Sequence, residues 1–223
     1  MENLLLVFAK EPKAGLVKTR LAKDIGDELA KKVYEAFLTD IALNVRDDES
    51  YDLQIVCTPE SDIANLNALL DFDNIMHQQG DTLTERLSHA FGGAFYSGYK
   101  RVLAIGTDAP FVNRFTIRES IALLTDADCV IGPATDGGYY LIGMNKFVPE
   151  IFSGISWSTK KVFHETMQKV EALGLTASIM KEMSDVDNYN DLISLENRFE
   201  NLTEHEKKCT LNLQKLFSDI TFN

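Results

Sequence analysis

The strongest constraint on the fold is the alternation of short apolar runs with longer amphipathic segments along the chain. Residues 4–9 and 102–106 are continuous apolar runs, as expected for central parallel strands that are covered on both faces. We predict five further strands, at residues 53–58, 74–78, 129–132, 139–144 and 177–180.

The segments between these runs have helical periodicity. In residues 28–45, apolar side chains recur at intervals of four from Leu29 to Val45 and form one stripe. Further helices are predicted at residues 62–70, 84–96, 116–124 and 159–173, the last ending before Gly174. Strands that alternate with such helices predict an α/β fold with a mainly parallel sheet and helices on both faces.

The sequence contains no linker, internal repeat or shift in composition, which favours a single domain. We assign residues 1–200 to this domain. Residues 201–223 are predicted to form a helical extension from about Thr203 onwards, with apolar positions at Leu211, Leu213, Leu216 and Phe217. The extension could pack on the domain or on a partner.

The chain is acidic, since 34 Asp and Glu against 22 Lys and Arg give a net charge of −12. A protein with this balance is a poor general binder of nucleic acids and anionic membranes, so neither is expected as a partner. The first 23 residues are an exception, because five Lys and Arg and two Glu give them a local charge of +3. We expect this segment to bind a small anion.

The three cysteines, Cys57, Cys129 and Cys209, lie far apart and form no Cys-x-x-Cys pair. We expect them to be free buried thiols, which are typical of a reducing cytoplasm. The first apolar run has six residues, 4–9, which is too short for a signal peptide or a membrane span. The sequence therefore predicts a soluble, cytoplasmic protein.

Ligands of open α/β sheets bind beyond the carboxyl ends of the strands, so the segments after the strands are the places to search. The segment after the first strand places Lys10, Lys18 and Arg20 around a turn shaped by Pro12 and Gly15. It matches neither a Walker A loop nor Gly-x-Gly-x-x-Gly. Backbone amides and cations near a helix start could still bind phosphate, and a solvated basic loop is the alternative.

Carboxylates follow later strands. Asp108, just beyond the strand at 102–106, could hold a divalent cation on phosphate oxygens, or it could form an Asx turn or a helix cap. Asp187 could supply a second carboxylate to the same cation. The Asp-Gly-Gly-Tyr run at 136–139 could be a hairpin turn, a place of close approach to a ligand, or both, with Tyr139 stacking on a base or sugar.

Several segments, in order, match motifs of a known family. Residues 8–21 match F-A-K-x-P-x-x-G-x-V-K-T-R-L at every fixed position, residues 105–110 match I-G-x-D-x-P, and residues 132–143 match G-P-x-x-D-G-G-Y-Y-L-I-G. Partial matches are Q-G-x-D-L-G-E-R at 79–86, P-W-x-T at 156–159, and D-x-D-T-x-x-D-L at 185–192. The departures are Thr82 for Asp, Thr84 for Gly, Ser156 for Pro and Asn188 for Thr.

Across residues 4–198 the chain resembles the bacterial nucleotide-diphospho-sugar transferase-like family. This family was formerly a domain of unknown function and is also labelled glycosyltransferase A or radical-SAM/selenodomain-associated transferase. The resemblance implies a GT-A fold in a single domain, with a nucleotide bound at the first loop and Mg²⁺ or Mn²⁺ held by Asp108 and Asp187.

The resemblance also implies roles for individual residues. The predicted nucleotide-binding residues are Lys10, Gly15, Lys18, Arg20, Gln79, Gly80, Arg86 and Thr107. The predicted acceptor-binding residues are Asp136, Gly137, Gly138 and Tyr139. Lys18, Arg20 and Asp136 are the predicted catalytic residues, the first two because they stabilise charge on transferring and leaving oxygens, and Asp136 as the base of an inverting glycosyl transfer.

The sequence predicts an enzyme that transfers a nucleotidyl group from a nucleoside triphosphate to a small phosphorylated acceptor. The first loop carries cations suited to a triphosphate, and the predicted metal motif is Thr-Asp-Ala rather than Asp-x-Asp. Glycosyl transfer from a nucleotide sugar is the alternative, which the family label favours. A nucleotide-binding module without catalysis is a further alternative.

Overall fold

The computed structural model describes residues 1–219, which form a sheet of seven strands flanked by helices. The strands are β1 Asn3–Ala9, β2 Asp52–Cys57, β3 Ile75–His77, β4 Arg101–Ile105, β5 Cys129–Pro133, β6 Tyr139–Met144 and β7 Ala177–Ile179. Every predicted strand is present, and each predicted strand end lies within one residue of the observed end.

The strand order is β3-β2-β1-β4-β6-β5-β7. All neighbouring pairs are parallel except those of β6, which runs antiparallel to β4 and to β5. The reversal arises because a tight hairpin, rather than a crossover helix, joins β5 to β6. The prediction of a mainly parallel α/β sheet is confirmed, with one inverted strand at its centre.

The helices are α1 Thr19–Ile25, α2 Asp27–Val45, α3 Ile63–Leu70, α4 Leu83–Tyr96, α5 Arg114–Leu123, α6 Val162–Ala172, α7 Tyr189–Arg198, α8 Glu204–Cys209 and α9 Leu211–Asp219. Short 3-10 turns lie at Pro149–Phe152 and Phe199–Asn201. None of the helices within residues 1–219 is both long enough and apolar enough to cross a membrane.

Alternating side chains of the central strands divide the core between the two faces of the sheet. In β1, Leu5 and Val7 pack with helices α2, α3 and α5, whereas Leu4 and Leu6 pack with α4 and α6. This alternation explains the uninterrupted apolar run of β1, because both of its faces are covered.

The three cysteines are buried and free.

In the segment predicted as a helical extension, the structure has two helices, α8 and α9, that meet at Thr210. Residues 220–223 of the extension lie outside the described residues. Leu213 and Phe217 of α9 are buried in a third apolar cluster together with Leu21 of α1, Phe37 of α2 and other residues. The division of the chain at residue 200 stays a prediction.

One carboxylate on α2 fixes the start of α9. Asp40 is 3% exposed and accepts hydrogen bonds from the backbone N–H of Asn212 (2.9 Å), its side-chain amide (2.8 Å) and the N–H of Leu213 (3.0 Å). Burial raises the pKa of Asp40, and the hydrogen bonds from Asn212 and Leu213 oppose that shift. Asp40 thus satisfies amide groups that a helix start otherwise leaves without partners.

Substitution of Asp40 tests this attachment. We expect Asp40→Ala to lower the free energy of unfolding by about 2 kcal/mol, because it leaves buried amide donors of α9 without acceptors. Urea titration followed by circular dichroism measures the change. Lys32→Ala, at an exposed position of the same helix, is the control and should stay within about 0.5 kcal/mol of the parent. Equal losses in the two variants would contradict the assigned role.

Candidate active site

The candidate site lies at the carboxyl ends of β1 and β4, where the loop from Lys10 to Lys18 crosses the edge of the sheet. Gly15 has a φ of 77°, a left-handed conformation that glycine adopts without steric cost. The N–H of Leu16 donates to the carbonyl of Lys13 at 3.1 Å and closes the turn. The loop then leads directly into α1, whose first residue is Thr19.

Lys18 is the most enclosed cation of the loop, with a side chain that is 4% exposed. Its ammonium donates to the Asp108 carboxylate and to the carbonyl of Val186, and it lies 3.7 Å from Oδ1 of Asp187. The ring of Phe37 supports it from α2, with Nζ 5.2 Å from the ring centroid. Lys18 therefore joins three separate parts of the chain at one point.

Arg20 and Asp187 form the outer part of the same network. Nη1 of Arg20 donates to Oδ2 of Asp187 at 3.2 Å. Asp187 is held in turn by its backbone, because its N–H and that of Asn188 both donate to Oδ2 of Asp191, at 2.9 and 3.0 Å. The position of the Asp187 carboxylate thus depends on the start of α7.

Three carboxylates converge beside this network. Oxygens of Asp136, Asp185 and Asp187 lie within 4.8 Å of one another, and we call these residues the acidic cluster. Burial raises the pKa of Asp185 to about 6, with further contributions from the charges of Asp136 and Asp187. Burial also raises the pKa of Asp187, while the charge of Lys18 opposes that shift.

The structure brings together Asp108, Asp136 and Asp187, which the sequence predicted as site residues. Asp185 was not predicted. The available signal was the spacing Asp185-Val186-Asp187 before a helix, which places two carboxylates on the same side of an extended segment.

The Asp-Gly-Gly run is both a hairpin turn and part of the site. The carboxylate of Asp136 accepts the N–H of Gly138 at 2.7 Å, and the N–H of Ala134 donates to the carbonyl of Gly138 at 3.1 Å. Gly137 has a φ of 90°, and a Cβ there would lie 2.4 Å from the carbonyl oxygen of Lys160. The β5–β6 hairpin therefore packs directly on the segment before α6, which no larger residue at position 137 would allow.

A pocket of about 350 Å³, the cationic pocket, lies beside Lys18. Its lining residues are Lys10, Val17, Lys18, Thr19, Arg20, Tyr34, Thr107, Asp108, Ser158 and Asp187. The Tyr34 hydroxyl joins two of its walls, because it accepts the N–H of Lys10 at 2.8 Å and the hydroxyl of Thr107 at 3.3 Å.

Lys10 also lines a neighbouring pocket of about 390 Å³ toward β2, which we call the Arg86 pocket. Nε of Arg86 donates to the carbonyl of Gly80 at 3.0 Å. Gly80 and the exposed Gln79 do not line this pocket. Of the three predicted residues in the segment 79–86, Arg86 is the one that lines this pocket together with residues of the first loop.

On the other side of Asp108 lies a second pocket of about 350 Å³, which we call the aromatic pocket. Its walls include Phe8, Leu83, Leu87, Ile142, Trp157 and Val162. Tyr139, a predicted acceptor-binding residue, also lines it, and its ring packs edge-on to Trp157 with a centroid separation of 6.2 Å.

Three of the departures from the family motifs have structural explanations. Thr82 caps α4 through the N–H of Glu85, and Asn188 caps α7 through the N–H of Asp191, each in a reciprocal capping box. The hydroxyl of Thr84 accepts the indole N–H of Trp157 at 2.8 Å. These substitutions therefore stabilise helix starts and a pocket wall.

Comparisons with known proteins agree with this architecture. The family model described as "Uncharacterized protein conserved in bacteria (DUF2064)" matches residues 41–159, and no curated protein sequence matches the chain. A solved structure from Desulfovibrio desulfuricans G20, provisionally described as a nucleotide-diphospho-sugar transferase, is 30% identical. The match covers 100% of this chain and 99% of that chain, with a TM-score of 0.84.

Two structures of lower sequence identity share the fold. A cytidylyltransferase from Leptospira borgpetersenii serovar Hardjo-bovis (strain JB197) is 11% identical, with 100% and 99% of the two chains covered and a TM-score of 0.56. Rv0371c from Mycobacterium tuberculosis H37Rv, solved in complex with manganese, is 15% identical, with 87% and 98% covered and a TM-score of 0.51. The predicted GT-A fold of nucleotide-diphospho-sugar transferases is confirmed.

The position of Lys18 leads to a prediction about cations. Lys18→Met removes the positive charge between Asp108 and Asp187, so we expect Mn²⁺ to bind about tenfold more tightly in the absence of nucleotide, given the strength of charge interactions at this range. Isothermal titration calorimetry measures the affinity. Lys23→Met changes the net charge equally at an exposed position of α1 and should leave it unchanged. Unchanged or weaker binding by Lys18→Met would contradict the prediction.

Proposed function

The chain belongs to the DUF2064 family of bacterial proteins, and on that premise we propose that it is a metal-dependent transferase that acts on a nucleotide substrate. The observation that carries the proposal is the junction of two pockets. Arg20, Asp108 and Asp187 line both the cationic pocket and the aromatic pocket. A group that is transferred from one pocket to the other would pass these three charged side chains.

The cationic pocket suits the phosphates of a nucleotide. Lys10, Lys18 and Arg20 line it, and a chain of negative phosphate oxygens requires cations of this kind. Lys10 lines the Arg86 pocket as well, so a bound nucleotide could extend from one pocket into the other. We assign the base and sugar to the Arg86 pocket and the phosphates to the cationic pocket.

The donor set at the junction fits a divalent metal. Asp108 and Asp187 offer carboxylate oxygens, which Mg²⁺ and Mn²⁺ prefer as ligands. The ammonium of Lys18 already lies between these two carboxylates, so the arrangement accommodates a positive charge. Asp136 and Asp185 provide further oxygens beside Asp187. When bound, the metal would neutralise charge on the transferring and leaving oxygens.

We propose nucleotidyl transfer from a nucleoside triphosphate to a small molecule. The acceptor oxygen forms a bond to the α-phosphorus, and the bond to the β-phosphate oxygen breaks and releases pyrophosphate with the electron pair. Lys18 and Arg20 stabilise the charge that develops on the phosphate oxygens. Asp136, an exposed carboxylate of the acidic cluster, receives the proton of the acceptor oxygen.

Glycosyl transfer from a nucleotide sugar is the second candidate, because the aromatic pocket could hold an acceptor beside a leaving diphosphate. The number of cations favours the first candidate, since three cationic side chains line the cationic pocket. The provisional description of the Desulfovibrio protein as a nucleotide-diphospho-sugar transferase keeps both reactions within the proposal.

The three buried free cysteines favour a reducing compartment, so we propose a cytoplasmic reaction.

Product analysis separates the two candidates. Purified protein is incubated with Mg²⁺ or Mn²⁺, a panel of small acceptors, and either nucleoside triphosphates or nucleotide sugars. We expect pyrophosphate release that depends on an acceptor and on a triphosphate. Transfer of sugar without pyrophosphate release would overturn nucleotidyl transfer, and nucleotide binding without turnover of either class would overturn catalysis.

Asp108→Asn tests the metal-dependent step. We expect turnover to fall at least about 100-fold, because the substitution removes a charged ligand at the junction of the pockets. Steady-state rates at saturating Mn²⁺, with circular dichroism to confirm folding, measure this effect. Asp126→Asn, which changes an exposed carboxylate outside the pockets described here, is the matched control. Activity that survives in Asp108→Asn would remove this residue from the mechanism.

A further inference from the structure

We propose that the acceptor of this reaction carries its reacting oxygen on an apolar body, preferably an aromatic ring, which binds in the aromatic pocket. The inference rests on the proposed function and adds the chemical class of the second substrate. The pocket measures about 350 Å³, within the range of small-molecule sites.

Apolar side chains from three directions form the walls. Leu83 and Leu87 come from α4, Ile142 from β6 and Val162 from the start of α6. Trp157 comes from the segment between β6 and α6. Such walls bind apolar surface in proportion to the area that is buried.

The polar atoms of Trp157 and Tyr140 donate to other protein groups rather than to the pocket. The indole N–H of Trp157 donates to Thr84 at 2.8 Å, and the hydroxyl of Tyr140 donates to the carbonyl of Lys181 at 3.1 Å. The hydroxyl of Tyr139 is buried and has no hydrogen-bond partner among the described residues. Trp157 therefore offers a ring surface, rather than its N–H donor, to a bound molecule.

This arrangement disfavours a polyhydroxylated body. Ser158, Thr159 and the charged residues line part of the pocket, but sugar hydroxyls placed against the apolar walls would lose hydrogen bonds to water without replacing them, which would weaken binding. An aromatic ring has no such requirement, and it gains offset or edge-on contacts with Trp157 and Tyr139.

The orientation of Trp157 is fixed by its neighbours. The Thr84 hydroxyl that accepts its N–H donates in turn to the carbonyl of Phe152 at 3.0 Å. Gly at this position, as in the family motif, would supply no such acceptor. Thr84 is therefore a positioning residue that keeps the indole face toward the pocket.

The charged residues that line the pocket are concentrated at one end. Arg20, Asp108 and Asp187 are shared with the cationic pocket, and Asp136 adjoins Asp187 in the acidic cluster. A ligand that fits both ends has a polar, reacting group at the carboxylates and an apolar body against Trp157. The body, rather than the polar group, distinguishes this acceptor from a sugar or a sugar phosphate.

Trp157 is the single tryptophan of the chain, so its fluorescence reports directly on the pocket. Four probes vary the body and the polar group independently: benzyl alcohol, phenyl phosphate, glucose and glucose 1-phosphate. We expect the two aromatic probes to change the fluorescence saturably, and the two sugars to bind at least about tenfold more weakly, a difference of about 1.4 kcal/mol. Equal or tighter binding of either sugar, or no saturable change with any probe, would overturn the inference.

Two variants with similar exposure provide the control. Leu83, in the wall, is 40% exposed and Leu173, at the end of α6, is 38% exposed. Leu83→Gln should weaken binding of phenyl phosphate roughly fivefold, because it removes apolar contact surface, and Leu173→Gln should not. Equal effects of the two variants would contradict binding in this pocket.

The fluorescence titrations test the aromatic acceptor independently of the turnover assays that test the proposed function. The fluorescence titrations contain no nucleotide, so binding of the aromatic probes supports the inference even when no triphosphate is turned over. Conversely, pyrophosphate release with glucose 1-phosphate and none with phenyl phosphate would overturn the inference while it supports nucleotidyl transfer.

Discussion

The site depends on one buried cation. The ammonium of Lys18 holds together the carboxylate after β4 and the extended segment before α7, and it does so from a loop that follows β1. Without a positive charge at this point, Asp108 and Asp187 would repel each other in a partly desolvated place. A positive charge at this point, from Lys18 or from a bound metal, therefore keeps the two carboxylates together, and Lys18 is also a candidate for chemistry.

Much of the fold could be predicted because its signals are local. The apolar run of β1 and the stripe from Leu29 to Val45 each express a burial pattern that repeats over several residues. The short helices α1 and α7 gave no such repeat, since each buries one or two residues. Helix α1 begins after Lys18, which provides no side-chain cap, and the start of α7 is set by the capping box of Asn188 and Asp191 rather than by periodicity.

The site was predictable only where a motif carries the chemistry. Asp108, Asp136 and Lys18 stand in recognisable segments, and the structure brings them together. The contact of Trp157 with Thr84 joins residues that are 73 positions apart, so no local pattern indicates it. The inversion of β6 was indicated only as one alternative, because the Asp-Gly-Gly-Tyr run at 136–139 could be a hairpin turn, a place of close approach to a ligand, or both.

Helix α2 links the carboxyl-terminal helices to the site. Along one helix, Tyr34 contacts the first loop, Phe37 supports Lys18, and Asp40 caps α9. The helix start at Leu211 is thus specified about 170 residues upstream. In a chimera of two relatives, α9 and residue 40 would have to be exchanged together. The reason is that the cap of α9 comes from residue 40, although the two are far apart in sequence.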